Sequence, residues 1–257
     1  KKPVETVIIQ ECGGTLGCIA KGAEIAAKMA RELSVQNKVE FDIGELVLGL
    51  ECGGSDPTSG IAGNPSVGAA SDKLIQLGGT SILSETTELI GAEHLVAARC
   101  VTKEMGDKLT AMVKRIEDKS KLYGVDLRGT QPTPGNIAGG LTTIEEKSLG
   151  CIHKAGQSPV IGVLEYSEAV DPEKHGLYFM DTPGEDIDSI TGMVAGGAQI
   201  ILFTTGRGTP TGSPVAPVIK VTGNPETYAK MTDNIDINAG RVITEGKTPQ
   251  DIGAEIF

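Results

Sequence analysis

Two carboxylates and an imidazole stand at positions where they could bind a metal ion. Glu85 and Glu88 lie three residues apart, directly after the apolar run 80–84 (TSILS), and His94 follows further along the same segment. Residues three apart share one face of a helix, so both carboxylates would point the same way. Such ligands suit Fe²⁺, Mn²⁺ or Mg²⁺ better than a structural zinc site. The alternative is an exposed helix start, where acidic residues interact favourably with the helix dipole.

A thiol follows the preceding apolar run. Cys52 begins the turn Cys52-Gly53-Gly54 after the run 45–50 (ELVLGL), where its sulfur and the neighbouring amides are accessible. It is therefore a candidate metal thiolate or nucleophile, and the alternative is a small buried hydrophobic residue. The chain has five cysteines, an odd number, and no Cys-x-x-Cys pair, so the sequence indicates neither a disulfide framework nor a zinc ribbon. This pattern favours a reducing cytoplasm.

Two cations are candidates for work on a substrate. Arg207 lies in the loop 204–214, which is rich in glycine and hydroxyl groups and follows the apolar run 200–203. A guanidinium binds a carboxylate through two parallel hydrogen bonds, and the loop's hydroxyls could bind polyol oxygens; a purely structural loop is the alternative. Lys147 follows Glu146 in a helical segment, either as a catalytic base or as the exposed partner of a nearby acid.

The elements that must position these residues alternate along the chain. Short continuous apolar runs predict strands buried on both faces, and the segments between them have helical periodicity. We predict strands at residues 4–10, 45–50, 80–84, 160–164, 177–180, 200–203 and 218–221. Helices are predicted mainly at residues 16–33, 64–77, 91–98, 103–123, 143–154 and 187–195. The fold class is therefore an α/β fold with an open, mostly parallel sheet of about seven strands and helices on both faces.

In such sheets, ligands bind beyond the carboxyl ends of the strands, where the candidate residues lie. The first glycine turn, at Gly13, Gly14 and Gly17, lacks the full G-x-G-x-x-G spacing, so we predict no nucleotide cofactor. A net charge of −11 argues against nucleic acid as a partner. No stretch approaches the length of a membrane helix, and the first residues do not read as a signal peptide, so we expect a cytoplasmic protein.

Taken together, these motifs resemble the altronate/galactarate dehydratase family, which also includes the large subunit of sulfolactate sulfo-lyase. The resemblance is carried by motifs such as CGGSD, SETTE, PTPGN and TGRGTP. The matching stretches are residues 52–56, 59–60, 64–68, 84–88, 93–95, 132–136, 139–141, 146–147, 203–210 and 236–240. The resemblance implies a lyase that removes water from a hexonate or hexarate with a divalent metal, Fe²⁺ first and Mn²⁺ or Mg²⁺ as alternatives.

The family resemblance also implies an organisation. Full-length members carry a small N-terminal β domain and a dimerisation segment before a Rossmann-like C-terminal domain. We therefore expect residues 1–257 to be a single catalytic C-terminal domain that pairs as a dimer in the full-length protein. The expected partners are a small-molecule sugar acid and an N-terminal domain or separate subunit.

The implied chemistry needs a base for the α-proton, a cation for the developing enediolate and an acid for the leaving hydroxyl. On the resemblance, Cys52, Glu85, Glu88 and His94 are expected near the metal. Lys147, Glu146 and Arg207 are expected to be catalytic, with Lys147 or a residue of the absent domains as the base. The expected substrate-binding residues are Ser55, Asp56, Thr86, Asn136, Thr205 and Arg207.

Two alternatives stay open. Residues 91–95 and 134–140 also resemble the sulfo-lyase branch, so sulfolactate is a second candidate substrate. From a different class, the chain could be a non-catalytic subunit that binds sugar acids or assists assembly.

Overall fold

The computed structural model describes residues 3–257, which form two compact units, one ending at Phe41 and one comprising Asp42–Phe257. In the first unit, the predicted helix at 16–33 is confirmed as α1, Thr15–Ser34. The predicted strand at 4–10 is wrong, because residues 4–8 are irregular and Ile9–Cys12 forms a 3₁₀ turn. Strand propensity takes effect only where another strand supplies hydrogen bonds, and the described residues of this unit contain no strand.

Seven strands of the described residues form one parallel sheet in the second unit, in the order β3-β4-β2-β1-β5-β6-β7. The open, parallel α/β sheet predicted from the sequence is therefore confirmed. The strands are β1 Val47–Cys52, β2 Thr80–Leu83, β3 Val160–Leu164, β4 Leu177–Met180, β5 Ile200–Thr205, β6 Val218–Thr222 and β7 Ile237–Asn238. The two-residue strand β7 was not predicted, since it is too short to give an apolar run.

Helices connect these strands and cover both faces of the sheet. They are α2 Asn64–Gln76, α3 Glu93–Ala97, α4 Lys103–Leu122, α5 Leu127–Thr130, α6 Pro134–Ala138, α7 Ile144–Ile152, α8 Asp186–Ala195, α9 Pro225–Lys230, α10 Arg241–Thr244 and α11 Pro249–Ile256. The predicted helices from residue 64 onwards are confirmed, with small shifts at their ends. In the described part of the chain, no helix combines the length and apolar character needed to cross a bilayer.

The core consists of two apolar clusters, one on each face of the sheet, because successive strand residues point to opposite faces. On β4, Phe179 packs into the cluster that contains residues of α2 and α4, whereas Tyr178 and Met180 pack into the cluster that contains residues of α8. Helices α2 and α8 are thereby fixed against opposite faces, with their first turns near the carboxyl end of β1.

A tight connection after α7 brings one more segment to the sheet. Helix α7 continues into the 3₁₀ turn His153–Ala155, and Asp72 of α2 holds the chain that follows. The Asp72 carboxylate accepts hydrogen bonds from the Gln157 amide at 2.8 Å and from the Ser158 hydroxyl at 2.6 Å. The turn therefore lies against α2, and its central residue, Lys154, is fully buried.

Candidate active site

The carboxyl ends of four adjacent strands, in the order β4, β2, β1 and β5, form the floor of the site. Cys52 ends β1, and Glu85 follows β2, so neighbouring strands bring these two predicted residues together. The Cys52 amide donates a hydrogen bond to Glu85 Oε2 at 2.9 Å. Glu85 has a left-handed backbone, with φ of 67°, and its amide donates to Thr182 Oγ1 after β4 at 2.7 Å. These bonds hold a strained backbone that aims the carboxylate at β1.

Five buried ionisable side chains surround this contact, and we call them the inner cluster: Glu51, Cys52, Glu85, Cys151 and Lys154. Lys154 Nζ lies 3.1 Å from Cys52 Sγ and forms an ion pair with Glu85 Oε2. Cys52 Sγ lies 3.8 Å from Cys151 Sγ. A fully buried ammonium thus contacts a carboxylate and a thiol, and a second thiol adjoins that thiol.

Burial sets the protonation states inside the cluster. Burial, followed by the charge of Glu85, raises the pKa of Glu51 well above its ordinary value, which favours the neutral form of this carboxyl. Its Oε2 accepts hydrogen bonds from the hydroxyls of Ser189 at 2.6 Å and Ser84 at 3.2 Å. Burial lowers the pKa of Lys154, but the thiols and carboxylates around it outweigh this effect and hold the pKa well above the ordinary value. Lys154 is therefore an ammonium.

Three members of the inner cluster can act together as metal ligands. One ligand atom each from Cys52, Glu85 and Cys151 lies within 4.8 Å of the others, and no other such group occurs in residues 3–257. Glu85 Oε1 has no hydrogen-bond partner among the described residues. As metal ligands, two thiolates and a carboxylate would carry three negative charges, of which Lys154 would balance one and a divalent ion two. The donor set therefore fits a divalent ion that accepts sulfur ligands, such as Fe²⁺ or Zn²⁺.

Above the inner cluster lies a cavity of about 170 Å³ that contains charges of both signs. We call it the outer cavity and define it by the side chains of Cys52, Ser55, Glu88, Asn136, Lys147, Asp186 and Arg207. Cys52 belongs to both the inner cluster and the outer cavity. Six predicted site residues line this cavity, namely Cys52, Ser55, Glu88, Asn136, Lys147 and Arg207.

Two of the cavity's charges are paired with each other. Lys147 Nζ lies 2.9 Å from Glu88 Oε1 and donates a hydrogen bond to Gln131 Oε1 at 3.0 Å. Burial lowers the pKa of Lys147, but the Glu88 carboxylate outweighs this and raises the pKa above its ordinary value. Burial raises the pKa of Glu88, and Lys147 opposes that shift. Lys147 therefore holds its proton at neutral pH, which suits proton donation and anion binding.

The loops that present the polar groups are held by hydrogen bonds. The Arg207 amide donates to Gly54 O at 2.9 Å, and Arg207 Nη1 donates to Gly135 O at 2.6 Å. Asn136 Nδ2 donates to Ser55 O at 2.9 Å. The loops after β1 and β5 and the first turn of α6 are therefore joined into one rim, from which the exposed guanidinium of Arg207 reaches the cavity.

Three predicted substrate-binding residues serve the scaffold in this structure. Asp56 accepts hydrogen bonds from the Thr58 amide at 2.9 Å and from Asn224 Nδ2 at 3.0 Å. Thr205 Oγ1 accepts one from the Gly208 amide at 2.9 Å, and Thr86 Oγ1 donates to Asp181. All three lie near the cavity without lining it. Their predicted contacts with substrate stay predictions.

Two other predicted residues lie away from the outer cavity. His94 is exposed on α3 and lines neither this cavity nor the metal-ligand group. Glu146 accepts hydrogen bonds from the amide and hydroxyl of Thr142 at the start of α7, and it lines a neighbouring cavity of about 230 Å³. Their predicted roles as metal ligand and catalytic residue stay predictions.

Four of the residues in these regions were not identified from the sequence: Glu51, Cys151 and Lys154 of the inner cluster and Asp186 of the outer cavity. One signal was available, because Lys147, Cys151 and Lys154 recur at positions i, i+4 and i+7 and so share one helix face. That face points at the strand ends. Glu51 and Asp186 gave no comparable signal, since one lies inside an apolar strand and the other in an acidic helix start.

The chain is similar to known proteins over most of its length. Residues 43–257 match the family model described as D-galactarate/Altronate dehydratase, C-terminal. The chain is 40% identical over 260 residues to (2R)-sulfolactate sulfo-lyase subunit beta of Chromohalobacter salexigens, covering 100% of the chain and 66% of the relative. It is 39% identical over 234 residues to Galactarate dehydratase (L-threo-forming) of Escherichia coli, covering 91% of the chain and 44% of the relative.

A third relative is Altronate dehydratase of Bacillus subtilis, 42% identical over 201 residues, with 78% of the chain and 40% of the relative covered. The chain therefore spans between two fifths and two thirds of the length of these relatives.

Proposed function

The chain belongs to the D-galactarate/altronate dehydratase family, and from this premise we propose that it is the catalytic C-terminal part of a lyase that dehydrates a sugar acid. The observation that carries the proposal is the outer cavity, where two cations and two carboxylates share one opening at the strand ends. A sugar acid brings a carboxylate, an acidic α-hydrogen and a β-hydroxyl to such a cavity. Each of these groups has a chemically matched side chain there.

Substrate binding is assigned to the exposed rim. The hydrogen bond from Arg207 Nη1 to Gly135 O fixes the plane of the guanidinium, and its Nε–H and Nη2–H groups are left to bind the substrate carboxylate bidentately. The polar side chains of Ser55 and Asn136 lie in the same cavity and orient the hydroxyls. Lys147 contributes a second positive charge close to the carboxylate.

The elimination needs negative charge to be stabilised as it develops. When the α-proton leaves, the substrate carboxylate becomes an enediolate, and the ammonium of Lys147 and the guanidinium of Arg207 stabilise that charge. Lys147 then gives a proton to the departing β-hydroxyl, which leaves as water. The resulting enol rearranges to a 2-keto-3-deoxy acid. Lys147 is suited to this step because Glu88 holds it protonated.

The inner cluster supports a metal in the proposal. Cys52, Glu85 and Cys151 would hold a divalent ion, Fe²⁺ first, which when bound supplies Lewis-acid stabilisation of the enediolate. We also propose a reducing, cytoplasmic environment, which would keep the thiols of Cys52 and Cys151 available to bind the ion. We further propose that the full-length protein is a dimer and that an N-terminal domain or separate subunit completes it, in keeping with the name subunit beta of one relative.

A second candidate is sulfolactate cleavage. One observation favours it specifically, because the sulfo-lyase relative matches the whole chain, whereas the two dehydratases match 91% and 78% of it. The same cavity would then release sulfite in place of water. A third candidate, a non-catalytic subunit, predicts neither metal binding nor turnover.

The test is an anaerobic assay of the purified chain with Fe²⁺ and each of altronate, galactarate and sulfolactate. We expect a 2-keto-3-deoxy product from one sugar acid and its loss after chelation. Release of sulfite would replace the dehydratase assignment by the sulfo-lyase one. A chain without bound metal or turnover, which gains activity only with an added N-terminal partner, would favour the non-catalytic role.

A further inference from the structure

We propose that Asp186 is the base that removes the α-proton from the substrate. This inference rests on the proposed function and completes it, since a lyase of this kind needs an unprotonated group in the outer cavity. The ionisable side chains that line the cavity are Cys52, Glu88, Lys147, Asp186 and Arg207. Their contacts distinguish Asp186 from the rest.

Four of the five groups are already engaged. Lys147 and Glu88 form an ion pair at 2.9 Å, which keeps the amine protonated. The second Glu88 oxygen, Oε2, has no hydrogen-bond partner among the described residues, but uptake of a proton by Glu88 would remove the charge that pairs with Lys147. The thiol of Cys52 is buried against Cys151 and Lys154, facing the inner cluster. The guanidinium of Arg207 offers only N–H donors, one of which is bonded to Gly135 O, and it has no acceptor for a proton. None of these four is a free base.

Asp186 is the exception. Among the described residues, it forms no salt bridge, and its only side-chain contact at hydrogen-bond distance is a long one from the Thr211 hydroxyl at 3.5 Å. Burial, followed by the charge of Glu85, raises the pKa of this carboxyl above its ordinary value. A carboxylate with a raised pKa is a better proton acceptor.

The backbone makes room for this carboxylate. A Cβ atom at Gly53 would lie 2.7 Å from Asp186 Oδ1 and 2.9 Å from Oδ2, so a side chain at this position would displace the carboxylate. The Asp186 oxygens therefore lie directly over the turn that follows Cys52. They face the cavity from the first turn of α8, which packs against β1.

Proton abstraction and loss of water are two successive events. The α C–H bond breaks, an O–H bond forms on Asp186, and the released electron pair becomes the C=C bond of the enediolate. The enediolate electrons then form the Cα=Cβ double bond of the enol, the β C–O bond breaks, its electron pair leaves with the hydroxyl, and a proton from Lys147 completes the water. Asp186 returns its proton to the β-carbon as the enol becomes the keto product, and the proton of the enol hydroxyl passes to Lys147, so both side chains return to their starting states.

The experiment compares Asp186→Asn with wild type and with the matched control Asp188→Asn, whose side chain is exposed on the same helix. For the substrate that wild type turns over, we expect Asp186→Asn to lower kcat about 100-fold or more, with KM changed by less than about threefold. Exchange of the α-hydrogen with D₂O should fall in parallel. Asp188→Asn should retain wild-type kcat, KM and exchange.

A second variant separates a base from a structural residue. Asp186→Ala removes the carboxylate, and added formate should restore part of kcat, because a small carboxylate can enter the space left behind. Wild-type kcat and exchange in Asp186→Asn, or an inactive Asp186→Ala that formate does not restore, would overturn the role of Asp186 alone. Wild type without turnover of any of the three acids would overturn the proposed function and this role together.

Discussion

The inner cluster and the outer cavity meet at Cys52, but they differ in how completely their charges are paired. In the inner cluster, Lys154 and Glu85 pair with each other, and neither side chain is more than 1% exposed. The outer cavity also contains one ion pair, but Arg207 is exposed on its rim, and Asp186 has no cationic partner among the described residues. Charges satisfied inside the protein stabilise the fold, whereas charges left available act on a ligand. Substitutions in the two regions should therefore separate stability from activity.

The largest expected effect is on stability and comes from Lys154→Met. It leaves the buried carboxylate of Glu85 without its cation, and removal of one partner of a buried ion pair typically costs about 3–5 kcal/mol. Denaturant unfolding of the metal-free protein at pH 7 measures the free energy. The double variant Lys154→Met with Glu85→Gln should recover part of the loss. A loss below about 1 kcal/mol for the single variant would contradict a stabilising role for the pair.

The next effect is a gain of stability in Glu51→Gln at high pH. Because the pKa of Glu51 is raised in the folded protein, folding binds a proton, and stability falls as the pH rises from the ordinary carboxyl value through the raised one. Gln keeps an oxygen for the Ser84 and Ser189 hydroxyls and cannot ionise. We expect the free energies of unfolding of variant and wild type to be similar at pH 4 and that of the variant to be higher at pH 8, as measured by denaturant unfolding at each pH.

The control for this variant is Glu146→Gln. Hydrogen bonds from Thr142 hold the pKa of Glu146 below its ordinary value, so its ionised form favours folding above that value. Glu146→Gln should therefore lose stability at pH 8, opposite in sign to Glu51→Gln. If both variants lost stability at pH 8, Glu51 would be ionised in the folded protein.

In the outer cavity, Arg207→Lys should change binding and leave the fold unaffected. An ammonium cannot reproduce the planar fork of a guanidinium, so we expect KM for the sugar acid to rise about tenfold, equivalent to about 1.4 kcal/mol. The free energy of unfolding should stay within about 0.5 kcal/mol of wild type. Arg128→Lys, which alters an exposed arginine paired with Glu117, is the matched control and should leave KM unchanged. Unchanged KM in Arg207→Lys would remove Arg207 from the binding site.

The two regions also differ in how far the sequence predicted them. Residues of the outer cavity such as Cys52 and Arg207 follow apolar runs, so the rule that ligands bind at strand ends located them. Lys154 was missed because a lysine is expected at the surface, and only tertiary packing of its turn against α2 buries it. Glu51 was missed because a charged residue inside a buried strand contradicts the apolar pattern. Buried polar clusters depend on contacts between distant segments, which local patterns do not report.

The fold itself followed from local patterns wherever the sheet supplied a partner. The runs that became β2, β3 and β4 were predicted nearly to the residue, because a continuous apolar run is what a strand buried on both faces requires. The run at 4–10 has the same β-branched composition but no neighbouring strand among the described residues of its unit, and it is not extended into a sheet. Composition alone could not distinguish these two situations.

The smallest expected effect comes from the helix that serves both regions. Helix α7 carries Lys147 to the outer cavity and Cys151 to the inner cluster, and it begins where Thr143 Oγ1 accepts a hydrogen bond from the Glu146 amide at 3.1 Å. Thr143→Ala removes this cap and should lower the free energy of unfolding by about 1 kcal/mol. Thr143→Ser keeps a hydroxyl that can accept the same hydrogen bond, so its free energy of unfolding should stay close to that of wild type. Because packing against the strand ends holds Lys147 and Cys151, KM should stay within about twofold of wild type. A larger change in KM at this modest loss of stability would mean that the cap positions Lys147, and the outer cavity would then depend on the start of the helix as well as on the sheet.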